Sequence, residues 1–184
     1  MEFKKIDALA VKLRSARPLN VAELRRLREE FAIENTYNSN AIEGSMLTLQ
    51  ETAFILRENV TIGGKPIREH LEAVGHKEAF DYVIQLADDR TELSEWIIRQ
   101  IHSLVLMHDN QNRGTYRSVP VMITGSAHTP LQPYLVQPQL ETLLLDYTAM
   151  KQDLHIIEAV SEFHLRFESI HPFIDGNGRT GIDS

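Results

Sequence analysis

Apolar positions recur every three to four residues over most of the chain and seldom alternate, the pattern of amphipathic helices rather than strands. Ile6, Leu9, Ala10 and Leu13 mark a first helix that Pro18 closes, and Val21, Leu24, Leu27 and Phe31 mark a second. Thr48-Leu49-Gln50-Glu51 has the form of a capping box, in which hydroxyl and carboxylate each satisfy a free backbone N–H, so another helix is expected to start there and stop before Gly63-Gly64. Leu71, Val74, Phe80, Val83 and Ile84 predict a long helix from about Ile67 to Leu86. Leu93, Trp96, Ile97, Ile101 and Leu104 predict the next, with Trp96 in register with the stripe and therefore expected in the core. Two more follow, one through Leu140, Leu143, Leu144 and Tyr147, the other through Ile156, Ile157, Val160, Phe163 and Phe167. The last runs directly into His171-Pro172.

Only residues 113–138 break the helical period. Gly114, Pro120, Gly125, Pro130, Pro133 and Pro138 punctuate that segment, and Val119, Val121, Met122 and Ile123 favour extended backbone, so a loop with a short β-hairpin flap is expected. The expected fold class is all-α with one such flap. With 184 residues, 42% of them apolar, the chain suffices for a single domain with a hydrophobic core.

A net charge of -7 argues against phosphate-backbone binding, which needs clustered Lys and Arg, so no nucleic-acid partner is expected. The absence of cysteine leaves no disulfide framework or thiolate zinc site, which fits a reducing cytoplasm. Met1 to Asp7 lacks the apolar stretch of a signal peptide, and no apolar run approaches bilayer length, so cytoplasmic localisation without membrane contact is expected.

Candidate chemistry is concentrated in His171-Pro172-Phe173-Ile174-Asp175-Gly176-Asn177-Gly178-Arg179. Gly176 and Gly178 let backbone N–H groups turn toward an anion, and Arg179 offers a planar fork of donors. Asp175 is a hard oxygen ligand suited to Mg²⁺, which takes one or two carboxylates plus phosphate oxygens. His171 is the one group whose ordinary pKa lets it accept a proton near neutrality. The set suits transfer of a phosphorus centre to a hydroxyl. Asp-Gly and Asn-Gly are also ordinary turn dipeptides, but the carboxylate array of a calcium loop and the G-x-x-x-x-G-K phosphate loop are both absent. His164, seven residues before His171, is expected to pack or to support it.

His171 to Arg179 resembles the signature of the Fic family, H-P-F-x-D/E-G-N-G-R, at every fixed position. Gly114-Thr115-Tyr116-Arg117 resembles the family's G-x-Y-R element, and residues 121–136 its flap. The resemblance implies a helical protein adenylyltransferase that moves AMP from ATP to a Ser, Thr or Tyr hydroxyl of a target protein. It makes His171 the catalytic base, Asp175 the Mg²⁺ ligand, and Gly176, Asn177, Gly178 and Arg179 the phosphate-binding residues. Thr124, Gly125, Ser126, His128 and Thr129 would form the flap where the target docks by strand addition. Ser39-Asn40-Ala41-Ile42-Glu43-Gly44 resembles the inhibitory S/T-x-x-x-E-G/N helix of the subgroup that carries it N-terminal to the core, with Ser39, Glu43 and Gly44 as inhibitory residues. That divides the chain into an N-terminal helical region, 1–60, with the inhibitory helix at about 36–44, and a core, 61–184. Removal of AMP by the same site and a non-catalytic Fic-like binding module are alternatives, and a homo-oligomer is open.

Two departures bear on activity. The family signature continues to a second arginine, and Ile182 stands at that position. Ser184 lies five residues beyond Arg179, where the family has a full helix, so a C-terminally shortened core is expected to bind nucleotide more weakly or in a different pose.

Overall fold

The computed structural model describes residues 3–123, 125 and 128–183, the side chains of 182 and 183 excepted. Its elements are α1 (Lys4–Ser15), α2 (Val21–Ile42), α3 (Leu49–Glu58), α4 (Ile67–Asp88), α5 (Glu95–Val105), a 3₁₀ turn (Pro133–Leu135), α6 (Val136–Asp153), α7 (Ile156–Ile170) and α8 (Asn177–Asp183). The helix starts have local causes. Asn20 with Glu23 and Thr48 with Glu51 form reciprocal capping boxes at α2 and α3, while the hydroxyl of Ser94 accepts from the N–H of Ile97 at α5. Pro18 falls in the gap between α1 and α2, and Asn59 ends α3 in the left-handed region at φ 53°.

The central element is α5, packed against α4 on one side, α6 on another and α8 at the site. Ile98 joins Val136, Leu140 and Leu143 of α6, Phe163, Phe167 and Ile170 of α7, and Phe173 in the largest apolar cluster. Ile97, Ile101 and Val105 turn to Ala79 of α4. The α4–α5 approach is very close: a Cβ on Gly75 would lie 2.3 Å from the carbonyl oxygen of Leu104, so only glycine fits there.

Two expectations are corrected. Trp96 is 63% exposed, because the buried stripe of α5 runs through Ile97, Ile98, Ile101 and Val105 and leaves position 96 just outside it. The predicted β-hairpin is not seen among the described residues of 113–138, which hold no strand. Pro120, Pro130 and Pro133 remove ladder donors there, and the segment is held by the Arg117 side chain, which donates to the carbonyls of Val119 and Leu131. The helix expected at the N-terminus forms as α1, with its apolar stripe in solvent: Ile6, Leu9 and Leu13 are all exposed and no residue of that helix is buried. Among the described residues no helix is long and apolar enough to cross a membrane.

Candidate functional site

The signature loop sits where the C-terminus of α7, the middle of α5, the first turns of α4 and the end of α2 converge. Phe173 anchors it, fully buried and stacked on the ring of His102 at 3.6 Å between centroids. Asn177 closes it: its side-chain carbonyl accepts from the N–H of Phe173 at 2.8 Å and its amide donates to the carbonyl of Phe173 at 2.9 Å. The side chain of Asn177 is thus spent on shaping the loop, leaving its backbone as the part able to face a ligand. Gly176, at φ 73°, makes the turn, with its N–H on Asp175 Oδ1 at 2.6 Å.

His171 is the C-cap of α7 and lies in the left-handed region at φ 51°. For a non-glycine residue that costs roughly 1–3 kcal/mol and persists only where the surroundings enforce it. Arg117 does so. It is 5% exposed, and its guanidinium donates to the carbonyls of His171 at 2.7 Å and Ile170 at 3.3 Å, as well as to those of Val119 and Leu131. One cation therefore satisfies the end of α7, fixes the backbone of His171 and ties down the flap segment. Burial, opposed in part by the Glu168 carbonyl and helped by the positive charges of Arg117 and His128, pulls the His171 pKa below its ordinary value, so the ring is neutral at pH 7. Its Nδ1 lies 3.8 Å from Glu168 Oε2, beyond a hydrogen bond. Burial, with repulsion from Glu43, pushes the pKa of Glu168 up, against the opposing charge of His164. His164 itself bonds the carbonyl of Gly181 at 3.0 Å, a supporting place in the same cluster.

His102 is the residue that sequence reasoning missed most completely. Its Nδ1 accepts from the N–H of Gly114 at 2.9 Å, which leaves the proton on Nε2 to be donated to the carbonyl of Asp175 at 3.0 Å. It joins the Gly114-Thr115-Tyr116-Arg117 element to the signature loop, and burial lowers its pKa to about 4, the Asp175 carbonyl opposing only in part. A signal existed: a histidine one residue after Ile101 and four after Ile98, on the buried stripe of α5, needs two satisfied nitrogens.

Arg179 is 2% exposed and surrounded by long contacts, 3.4 Å to Asn40 Oδ1, 3.5 Å to Glu72 Oε1 and 3.5 Å to Asp175 Oδ1, with no partner for Nε among the described residues. Glu72 on α4 is a hub: its Oε1 also accepts from Arg68 Nε at 2.9 Å and lies 3.8 Å from His108 Nε2. Arg68 reaches on to Asp175 Oδ2 at 3.3 Å. Asp175 remains partly accessible, and no group of three or more His, Asp or Glu able to hold a metal occurs among the described residues. One accessible carboxylate beside cations fits a Mg²⁺ that draws most of its shell from water and substrate phosphate, and does not fit an all-protein metal cage.

At the upstream segment, Ser39 is buried in the last turns of α2, Glu43 is the C-cap, and Gly44 leaves the helix at φ 92°. The Ser39–Gly44 segment is thus the end of one continuous helix beginning at Val21. Glu43 is exposed yet overhangs the signature: a Cβ on Gly178 would lie 3.3 Å from its Oε1. Among the described residues no cation pairs with Glu43. In the flap, Gly125 lies at φ 78°, Thr129 is exposed, and His128 Nε2 meets the carbonyl of Ser169 at 2.9 Å, so His128 is pinned against the end of α7. Thr124 and Ser126 lie outside the described residues, as does the side chain of Ile182.

Comparison with known proteins agrees with this geometry. The sequence profile of the Fic/DOC family matches residues 92–182. A protein from Nematostella vectensis named protein adenylyltransferase Fic is 36% identical over 180 residues, covering 96% of this chain and 41% of its own length. The Drosophila willistoni protein of the same name is 33% identical, covering 95% of this chain and 35% of its own length. This chain therefore spans about two fifths of the length of those relatives. A Fic-domain signalling protein from Bacteroides thetaiotaomicron superposes with a TM-score of 0.87 at 30% identity, covering 96% of this chain and 69% of that one. Fic-1 from C. elegans superposes at 0.80 with 32% identity, covering 97% and 52% respectively. With the signature loop built around His171 and likeness running through nearly the whole chain, the chain belongs to the Fic/DOC family.

Proposed function

We propose that the chain is a protein adenylyltransferase that moves AMP from ATP to a Ser, Thr or Tyr hydroxyl of a target protein. The observation that carries this is His171, its pKa lowered by burial and its left-handed backbone locked by Arg117 at the head of the signature loop. Its Nε2 takes the proton of the target hydroxyl as that oxygen forms a bond to the α-phosphorus. The bond from the α-phosphorus to the bridging oxygen breaks, and pyrophosphate leaves with its electron pair. The backbone of Gly176, Asn177 and Gly178 and the guanidinium of Arg179 hold the phosphates. A Mg²⁺ on Asp175 supplies charge neutralisation when bound. The target strand lies along the flap around Gly125, His128 and Thr129, where no strand of the chain occupies the backbone donors and acceptors among the described residues. The named activity of the Nematostella and Drosophila relatives supports the same reading.

Glu43 serves as a brake in this reading. Its carboxylate beside Gly178 repels a phosphate that approaches the loop, while buried Ser39 and the left-handed Gly44 fix the end of α2 that carries it. Isoleucine at 182 offers no cation to pair with it, so the restraint works by repulsion and occupancy rather than through an ion pair. An unpaired carboxylate at this point also suits a second reading, in which Glu43 orients water to remove AMP. Release of AMP from a modified target, lost in Glu43→Ala, is the result that reading requires.

The test is incubation with ATP labelled at the α-phosphate, Mg²⁺ and candidate targets, following label on protein. Glu43→Gly is expected to raise labelling, and His171→Ala in that background to lower it by roughly 10²- to 10⁴-fold. No label from the wild type or from Glu43→Gly, in the presence of modifiable targets of its relatives, overturns the proposal.

A further inference from the structure

The cation best placed to meet a nucleotide's phosphate tail is outside the signature loop. We infer that Arg68, on the first turn of α4, is a second phosphate-binding residue of this site, held in place by Glu72; the inference rests on the nucleotide reading above. Arg179 is buried at 2% exposure and faces Asn40, Glu72 and Asp175, so its freedom to follow a ligand is small. Arg68 differs in each respect. Its side chain is 59% exposed, and only Nε and Nη2 are engaged, by Glu72 at 2.9 Å and Asp175 at 3.3 Å. No described residue accepts from Nη1. Glu72 Oε1 sits between the two guanidiniums, 2.9 Å from one and 3.5 Å from the other, so a single buried carboxylate sets their spacing.

The chemistry follows from that arrangement. A guanidinium anchored through Nε keeps its Nη donors pointing outward in a plane, the geometry that recognises phosphate bidentately. Arg68 reaches Asp175 Oδ2 from an exposed position and Arg179 reaches Oδ1 from a buried one, so the two cations meet the carboxylate of the signature loop through different oxygens. A phosphate chain leaving the loop toward solvent passes Arg68. Arg68 therefore discriminates by the number of phosphates: it contributes to ATP and contributes nothing to AMP. Position 182 is isoleucine, so no charge there competes for this role.

Calorimetry with Mg²⁺ present, comparing ATP with AMP, tests this. Glu43→Gly serves as the parent protein, so that the carboxylate beside Gly178 does not compete with phosphate. Loss of a charge-assisted hydrogen bond predicts that Arg68→Ala lowers the preference for ATP over AMP by roughly 10- to 100-fold, with AMP affinity itself within about twofold. Arg68→Lys restores part of the preference, as a point charge without the fork. Glu72→Gln reduces it to an intermediate extent by freeing the guanidinium. Because Arg68 is exposed, Arg68→Ala is expected to keep the thermal midpoint of its parent. A preference that falls less than threefold in Arg68→Ala overturns the inference while leaving the nucleotide site intact. Binding of neither nucleotide to the Glu43→Gly parent overturns the nucleotide reading itself, and the inference with it.

Discussion

The first helix and the fourth invert the usual relation between residue type and burial. In α1, the apolar residues Ile6, Leu9 and Leu13 are in solvent, joined by Val21, Leu24 and Phe31 along the front half of α2. In α4, the innermost face is Glu69, Glu72, Ala73, His76 and Ala79, while Leu71, Val74 and Phe80 lie only partly covered. Periodicity finds a helix in both cases, because both stripes repeat at three and four residues. It does not say which face is inside. Burial in α4 is decided by what packs against it: the polar end of α2, with Thr36 Oγ1 3.1 Å from His76 Nδ1, and the signature loop through Arg179. A buried polar face is costly unless each group is partnered, so it marks the part of the fold shaped for chemistry. An exposed apolar face costs little and marks no chemistry.

Acid is expected to break the polar side of this contrast first. Burial, with the charge of Arg179, holds the pKa of His76 at about 4, and burial holds that of His102 at about 4. Both sit below the unfolded value, so the unfolded chain binds more protons between the two and stability rises with pH there. The contribution is fully present above about pH 6.5 and is lost as pH falls toward 4. Each ring accounts for up to about 3 kcal/mol, so urea midpoints measured from pH 7 to 4.5 should drop by the equivalent of about 5 kcal/mol for the pair. A flat profile over that range means that the rings are hydrated in solution, and the contrast with α1 fails.

Next in size is Arg117→Ala, which removes the donor shared by the carbonyls of His171, Ile170, Val119 and Leu131. Stability should fall by about 3 kcal/mol, because buried acceptors are left unmatched. Labelling activity should fall further than stability explains, since the left-handed backbone of His171 loses its restraint. Equal stability in Arg117→Ala and wild type, from thermal melts, contradicts this role.

Much of the fold could be read from the chain because its causes are local. The capping box at Thr48 and the apolar stripe of α5 each depend on residues within a turn or two of one another. The signature loop was equally plain from His171 to Arg179. What could not be read depends on distant pairs: Arg117 and His171 are 54 positions apart, His102 and Asp175 are 73, and Arg68 and Asp175 are 107. Asn177 shows the same limit at short range, since its residue type suits a ligand contact and only the folded loop reveals that Phe173 consumes its side chain. Trp96 failed differently. It obeys the helical period, but one residue of rotation moves it from the seam to solvent.

The smallest expected effect is the sharpest probe of the other side of the comparison. Leu9 is 56% exposed on a helix with no buried residue, so truncating it removes little apolar area from any packed contact. What ties α1 to the rest is polar and aromatic instead, with Phe3 stacked on His155 at 4.2 Å and Asp7 3.1 Å from His155 Nε2. Leu9→Ala should therefore change the thermal midpoint in dilute solution by the equivalent of less than about 0.5 kcal/mol, the size of an ordinary surface substitution. The measurement gains its value when repeated at high protein concentration. A cost that appears only there means that a second copy covers the stripe, because association stabilises by mass action and a solvated face does not. A cost independent of concentration means that α1 packs within its own chain, and the contrast with α4 then reduces to a difference in degree.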